Sequence, residues 1–202
     1  MKKLLILMLT AVSAVAFKTA DNGYKAGDVA ADFKLKNVTG KMLSLADYSN
    51  AKGFIVVFTC NHCPVAQAYE KRIMALDARY ASKGYPVIAI SPNDPVAEPV
   101  DSYANMQKRA AERKYTFPYL IDETQNITRA FGAQATPTAY VLQKTDKGMV
   151  VQYVGAIDND QEQANPARTK FVENAVDALM SGKKPAVTES KALGCRIVWK
   201  NS

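Results

Sequence analysis

The chain has 202 residues, 48 % of them apolar and 22 % charged, with a formal net charge of +7. That is enough apolar material for one domain with a real core, and it excludes a wholly disordered or membrane-embedded chain. The basic residues are scattered rather than interleaved with aromatics, and Lys108, Arg109, Arg113 and Lys114 read as one solvated helix face, which excludes nucleic-acid binding.

Met1-Lys2-Lys3 is followed by an apolar run from Leu4 to Ala16, ending in the small-x-small triplet Ala14-Val15-Ala16. This reads as a signal peptide over residues 1–16. The run falls short of the ~20 residues a membrane span needs. An uncleaved anchor over residues 4–16 is the competing reading, and a buried N-terminal helix the plainest one. No Cys follows the run, so no lipid anchor on Cys is expected. Loss of Lys2 and Lys3 takes the charge from +7 to about +5. A periplasmic or secreted protein follows, with the membrane involved only through an uncleaved N-terminus. Residues 17–27 read as a loose leader, 28–182 as the domain and 183–202 as a C-terminal tail.

Phe33 to Val38 and Met42 to Leu45 form an expected hairpin about Thr39-Gly40. Phe54 to Phe58 is short, β-branched and aromatic, the pattern of a buried central strand. Val65, Tyr69, Ile73, Leu76 and Tyr80 then mark one face of a helix closed by Gly84. Val87 to Ile90 is a second buried strand, and Ser91 to Pro99 a loop. Val100, Tyr103, Met106 and Ala110 mark a helix, Phe117 to Ile121 a strand, and Ile127 to Phe131 a short helix stopped by Gly132. Tyr140 to Leu142 and Val150 to Val154 flank a turn at Thr145 to Gly148. Asn165-Pro166 signals the cap and first turn of a last helix, which buries Phe171, Val172, Ala175, Val176 and Leu179 and ends at Gly182. The tail is loop-like, with an apolar cluster at Ile197-Val198-Trp199. Strands alternating with helices and a closing hairpin predict an α/β fold with a mixed sheet flanked by helices.

The chemistry is expected at Cys60-Asn61-His62-Cys63, where a buried strand meets a helix. Unpaired N–H groups and partial positive charge at a helix start stabilise a thiolate, the form that attacks disulfides. The three-residue offset lets one sulfur resolve a mixed disulfide on the other. Cys60, expected outward-facing at the helix tip, is assigned as nucleophile and Cys63 as resolver, giving a redox-active Cys60–Cys63 disulfide. His62, the single histidine, would favour the Cys60 thiolate when protonated, or else be a solvated loop residue. Zinc needs four ligands, and only Cys195 and His62 could join the pair, so no metal is expected. Haem attachment needs His directly after the second Cys, where Pro64 stands. No cofactor is expected.

Thr136-Pro137 precedes a strand. Pro137 is either an edge residue or a cis-proline in a tight turn, and the upstream cysteine pair favours cis. The Thr136 backbone would then be free to pair with an extended substrate, so Thr136 and Pro137 are the expected substrate-binding residues. Cys195 reads either as a small buried hydrophobe beside Trp199 or as a third redox partner of the pair.

A buried strand, a Cys-x-x-Cys at a helix start, and a distant Thr-Pro before a hairpin and final helix resemble thioredoxin. The N-terminal hairpin and the added helix-strand at Val100 to Ile121 resemble the redoxin branch, which groups the AhpC/TSA family with exported thioredoxin-like proteins. The stretches Phe58 to Pro64 and Gly194 to Trp199 are similar to a peroxiredoxin-like redoxin subgroup. The resemblance spans about residues 28–182. It implies a thiol-disulfide oxidoreductase acting on thiol- or disulfide-containing proteins in extracytoplasmic redox homeostasis, supplied by a membrane or periplasmic electron donor. Thioredoxin has Trp where this chain has Thr59, and a buried Asp where it has Phe54. The usual buried proton acceptor is therefore missing or supplied from elsewhere. A thiol-dependent peroxidase is the alternative activity. Its Pro-x-x-x-Thr-x-x-Cys pattern meets Gly53 and Val57 counted from Cys60, and Val56 and Cys60 counted from Cys63, so neither frame fits. A redox-inactive module that holds extended segments is a third reading, opposed by the intact cysteine pair.

Overall fold

The computed structural model describes residues 23–162 and 164–200. The signal peptide or anchor expected over residues 1–16, and the start of the leader, lie outside the described residues.

The strands are β1 (Val29–Ala30), β2 (Lys34–Asn37), β3 (Met42–Ser44), β4 (Gly53–Phe58), β5 (Val87–Ser91), β6 (Tyr119–Ile121), β7 (Ala135–Thr136), β8 (Thr138–Thr145), β9 (Gly148–Gly155) and β10 (Cys195–Arg196). The helices are α1 (Pro64–Tyr80), α2 (Tyr103–Arg113), α3 (Asn126–Phe131) and α4 (Phe171–Met180). Eight strands form one mixed sheet in the order β1-β9-β8-β4-β5-β6-β2-β3. Strands β4, β5 and β6 run parallel, and β8 and β9 lie antiparallel on the other side of β4. Strands β7 and β10 form a separate two-stranded ribbon.

Every residue of β4 is buried because both faces of the sheet are covered. Alternation along the strand sends Ile55 and Val57 to one face, with Tyr69, Ile73 and Leu76 of α1 and Val172 and Val176 of α4. Phe54, Val56 and Phe58 face the other way, against Leu120, Phe131 and Tyr140. Burying each such side chain contributes about 1.5–3 kcal/mol, so β4 is the anchor from which the following loop is hung. The α1 helix starts where Pro64 takes the first position, its missing N–H being one the helix would leave unpaired.

The structure departs from the sequence reading at several elements, among them the tail expected to be loop-like, which forms β10 against the unforeseen β7. Asn165-Pro166 does not open the last helix, which begins at Phe171. Asn165 Oδ1 instead accepts the Ala167 N–H (2.8 Å), and Asn159 Oδ1 accepts the Thr169 N–H (2.7 Å). These side-chain bonds hold the segment in turns. Val100 lies in a short 3-10 turn (Pro99–Asp101) ahead of α2 and is half exposed. Finally, β1 adds an unforeseen edge strand, with Val29 opposite Val150 and Ala30 opposite Met149.

Candidate active site

The loop from Thr59 to His62 joins β4 to α1, with Cys63 as the residue capping the helix. The disulfide joins Cys63 to Cys195, and Cys60 is a free thiol. The sequence reading expected the bond between Cys60 and Cys63. All three cysteines nevertheless share one small apolar cluster with Val65 and Ala66.

The expected low-pKa, outward-facing Cys60 is corrected by this geometry. Cys60 is only 3 % exposed and precedes the helix cap by three residues. Burial, and after it the negative charge of Asp101, pushes its thiol up to about 11. A helix terminus contributes typically ~0.3–1 kcal/mol to a nearby charge. The rise from 9.0 to about 11 corresponds to roughly 3 kcal/mol. Desolvation therefore wins, and Cys60 is held as a neutral thiol at neutral pH.

Asp101 is wholly buried and fully used. One carboxylate oxygen accepts the backbone N–H groups of Asn61 (2.6 Å) and His62 (3.1 Å). The other accepts His62 Nδ1–H and the Asn93 side-chain amide, each at 2.6 Å. The Asn61 side chain donates to the Val100 carbonyl (2.9 Å) and accepts from the Tyr119 hydroxyl (3.1 Å). The Asn-His dipeptide between the cysteines is thus clamped through backbone and side chain. His62 belongs to a buried network rather than to a solvated loop. One ligand atom each from Cys60, His62 and Asp101 lies within 4.8 Å of the others, so this is where an ion could be held. Both Asp101 oxygens already accept N–H groups, which an ion would have to displace.

The Thr136–Pro137 peptide is cis, as expected. It faces the cysteines directly. Thr136 Oγ1 lies 3.0 Å from Cys60 Sγ, and the Thr136 carbonyl oxygen 3.4 Å from Cys63 Sγ. The expectation of a free Thr136 backbone is not met, because β10 pairs with β7 and sets Cys195 opposite Thr136. A cleft of about 480 Å³ is lined by Pro137 together with Tyr69, Phe171 and Leu193. Sequence reasoning missed Asp101 and Asn93. Asn93 sits in the loop that follows β5 and Asp101 at the end of the 3-10 turn ahead of α2, and neither stretch carried a chemical motif.

The model of the AhpC/TSA family matches residues 26–154. The chain belongs to the AhpC/TSA family. It is 26 % identical over 147 residues to the thiol-disulfide oxidoreductase ResA of Geobacillus thermodenitrificans, covering 71 % of this chain and 80 % of that protein. Among solved structures, an uncharacterized conserved protein from Geobacillus kaustophilus superimposes with a TM-score of 0.82 at 33 % identity, over 90 % of this chain and 95 % of that one. A putative thiol:disulfide interchange protein DsbE from Chlorobium tepidum gives a TM-score of 0.52 at 23 % identity, over 64 % and 83 %, a likeness of fold. The AhpC/TSA chain thus has a thioredoxin-like fold, a mixed sheet flanked by helices.

Proposed function

We propose that this thiol-disulfide oxidoreductase of the AhpC/TSA family exchanges disulfides with exported proteins through Cys60 and Cys63. The observation that carries the reading is the gathering of three cysteine sulfurs at the β4–α1 junction, beside Thr136, with a disulfide already formed among them. Similarity to proteins named thiol-disulfide oxidoreductase ResA supports it. Lys2-Lys3 and the apolar run after them support an extracytoplasmic setting. No described helix is long and apolar enough to cross a membrane.

In the reductive direction, the Cys60 thiolate attacks one sulfur of a substrate disulfide and the other leaves as a thiolate. Cys63 then attacks Cys60 Sγ, forming Cys60–Cys63 and freeing the second substrate thiolate. The dithiol loses two electrons and the substrate disulfide gains them. Phe54 cannot accept a proton where thioredoxin has an acid. The Asp101–His62 dyad, within 4.8 Å of Cys60 Sγ, supplies that group from another element. A membrane or periplasmic dithiol donor restores the thiols, and its potential sets the direction of flow.

The peroxidase alternative is opposed by the missing Pro-x-x-x-Thr-x-x-Cys frame, since Gly53 and Val57 precede Cys60 and Val56 and Cys60 precede Cys63 at those positions. The test is turnover of a disulfide-linked reporter peptide with dithiothreitol as donor, beside consumption of hydrogen peroxide. Wild type should turn over the peptide, and Cys60→Ser and Cys63→Ser should lose turnover. Peptide turnover undiminished in Cys60→Ser, or activity on peroxide alone, would overturn the reading.

A further inference from the structure

The segment that carries Cys195 lies where an extended substrate would bind. Cys195 stands opposite Thr136 and Arg196 opposite Ala135 in antiparallel pairing, and the Ile197 N–H donates to the Gln134 carbonyl (3.1 Å). This is strand addition to an edge, as extended peptides do. The approach before Cys195 is so close that a Cβ on Gly194 would lie 1.9 Å from the Thr136 carbonyl oxygen. Only glycine fits there, for reasons of space rather than of backbone angle.

The rest of the tail is built into the domain. Ile197 is buried against the β4 face that holds Phe58. The Val198 N–H donates to Asn93 Oδ1 (2.8 Å), and its carbonyl accepts from the Gln125 amide (2.8 Å) and the Asp94 N–H (2.9 Å). Trp199 lies under Arg129, 4.5 Å from guanidinium carbon to ring centroid. Asn93 holds the tail with its oxygen and Asp101 with its nitrogen, so the tail is tied to the same network that clamps His62.

We propose that Cys195 is a disulfide-storing cysteine outside the substrate-exchange step, presented on an internal copy of the substrate strand. Resting on the Cys60/Cys63 reading, the step is an internal exchange. The Cys195 thiolate attacks Cys63 Sγ of the Cys60–Cys63 disulfide. The Cys63–Cys195 bond forms, the Cys60–Cys63 bond breaks, and Cys60 leaves as a thiolate. Cys60 takes up the proton that Cys195 gave up, because its buried site favours the neutral thiol. No electrons are gained or lost. The oxidised enzyme thereby stores its disulfide as Cys63–Cys195, with Cys60 protonated and the Thr136 edge covered. A dithiol donor must open this bond before the next cycle. Substrate strands, preferably with a small residue before their cysteine, compete with residues 194–197 for the same edge.

The experiment is disulfide mapping by mass spectrometry of the full oxidised chain, with peptide-disulfide kinetics on the same samples. Wild type should carry Cys63–Cys195 with Cys60 as the free thiol. Cys195→Ser should carry Cys60–Cys63 and still turn over the peptide. Gly194→Ala keeps all three thiols but pushes the tail off Thr136. It should shift the bond toward Cys60–Cys63 and lower KM for an extended peptide by roughly tenfold, the scale of losing a competing pair of backbone hydrogen bonds. Cys195 found always as a free thiol in active wild type would overturn the proposal while leaving Cys60/Cys63 exchange intact. Loss of exchange in wild type and Cys195→Ser alike would overturn both.

Discussion

Asp101 Oδ2 and His62 Nδ1 lie 2.6 Å apart, and the carboxylate has no exposure to solvent. A buried charge of this kind persists only with a full set of donors, and here four N–H groups supply it. The same charge acts on Cys60, so it positions His62 and disfavours the thiolate at once.

Asp101→Asn should therefore make Cys60 more reactive. Removing the like charge lowers the thiol's pKa toward its ordinary value. Alkylation of Cys60 by iodoacetamide in the oxidised chain should speed up about tenfold at pH 8, the equivalent of one pK unit. The pH profile should move to lower pH. An unchanged profile would mean that burial alone sets the thiol.

Cys60 should also shape the alkaline stability. Its folded pKa is raised, from 9.0 to about 11, so its contribution is present below pH 9 and lost as pH rises from 9 through 11. The unfolded chain gives up its proton first and gains relative stability. Urea melts of wild type and Cys60→Ala at pH 8 and pH 11 check this. The difference between the two proteins should change in the direction that weakens wild type at the higher pH.

Asp158 is a second buried carboxylate, in the segment that follows β9. It accepts from the Tyr69 hydroxyl (2.9 Å), Arg72 Nη1 (2.5 Å) and Arg168 Nε (3.1 Å) while only 4 % exposed. It ties the first half of α1 to the segment after β9. Asp158→Ala leaves two arginines without their shared partner and should cost about 3–5 kcal/mol in urea unfolding. The double variant Arg72→Met/Asp158→Leu should recover part of that loss.

Gly53→Ala tests how tightly the central strand is set. An added Cβ would lie 2.1 Å from the Leu142 carbonyl oxygen and 2.5 Å from the Tyr85 ring. With rigid backbone on one side, the variant should lose about 1–3 kcal/mol in thermal or urea unfolding.

Much of the fold was legible because apolar runs and periods carry it. β4, β5 and α1 announce themselves in Phe54 to Phe58, Val87 to Ile90 and the Val65-to-Tyr80 spacing. β1 was not legible, since two residues are too short to show a period. The start of α4 was misread because a capping side chain and an Asx turn share one signature, and Asn165 makes the turn. At the site, the cysteines and Thr136-Pro137 stood out, and the structure brings them together. Asp101 did not stand out. Its partners Asn61 and His62 lie 40 and 39 residues away, and local sequence does not distinguish a buried loop aspartate from an exposed one. The Cys63–Cys195 bond spans 132 positions, and pairing among three cysteines is not a property of spacing.

The most direct test of Cys60 as nucleophile is covalent trapping. Cys63→Ser leaves a mixed disulfide without its resolving sulfur. The full-length variant, incubated with an excess of an asymmetric peptide disulfide and mapped by mass spectrometry, should accumulate the peptide on Cys60. No adduct on Cys60, under conditions in which wild type turns the peptide over, would contradict the account.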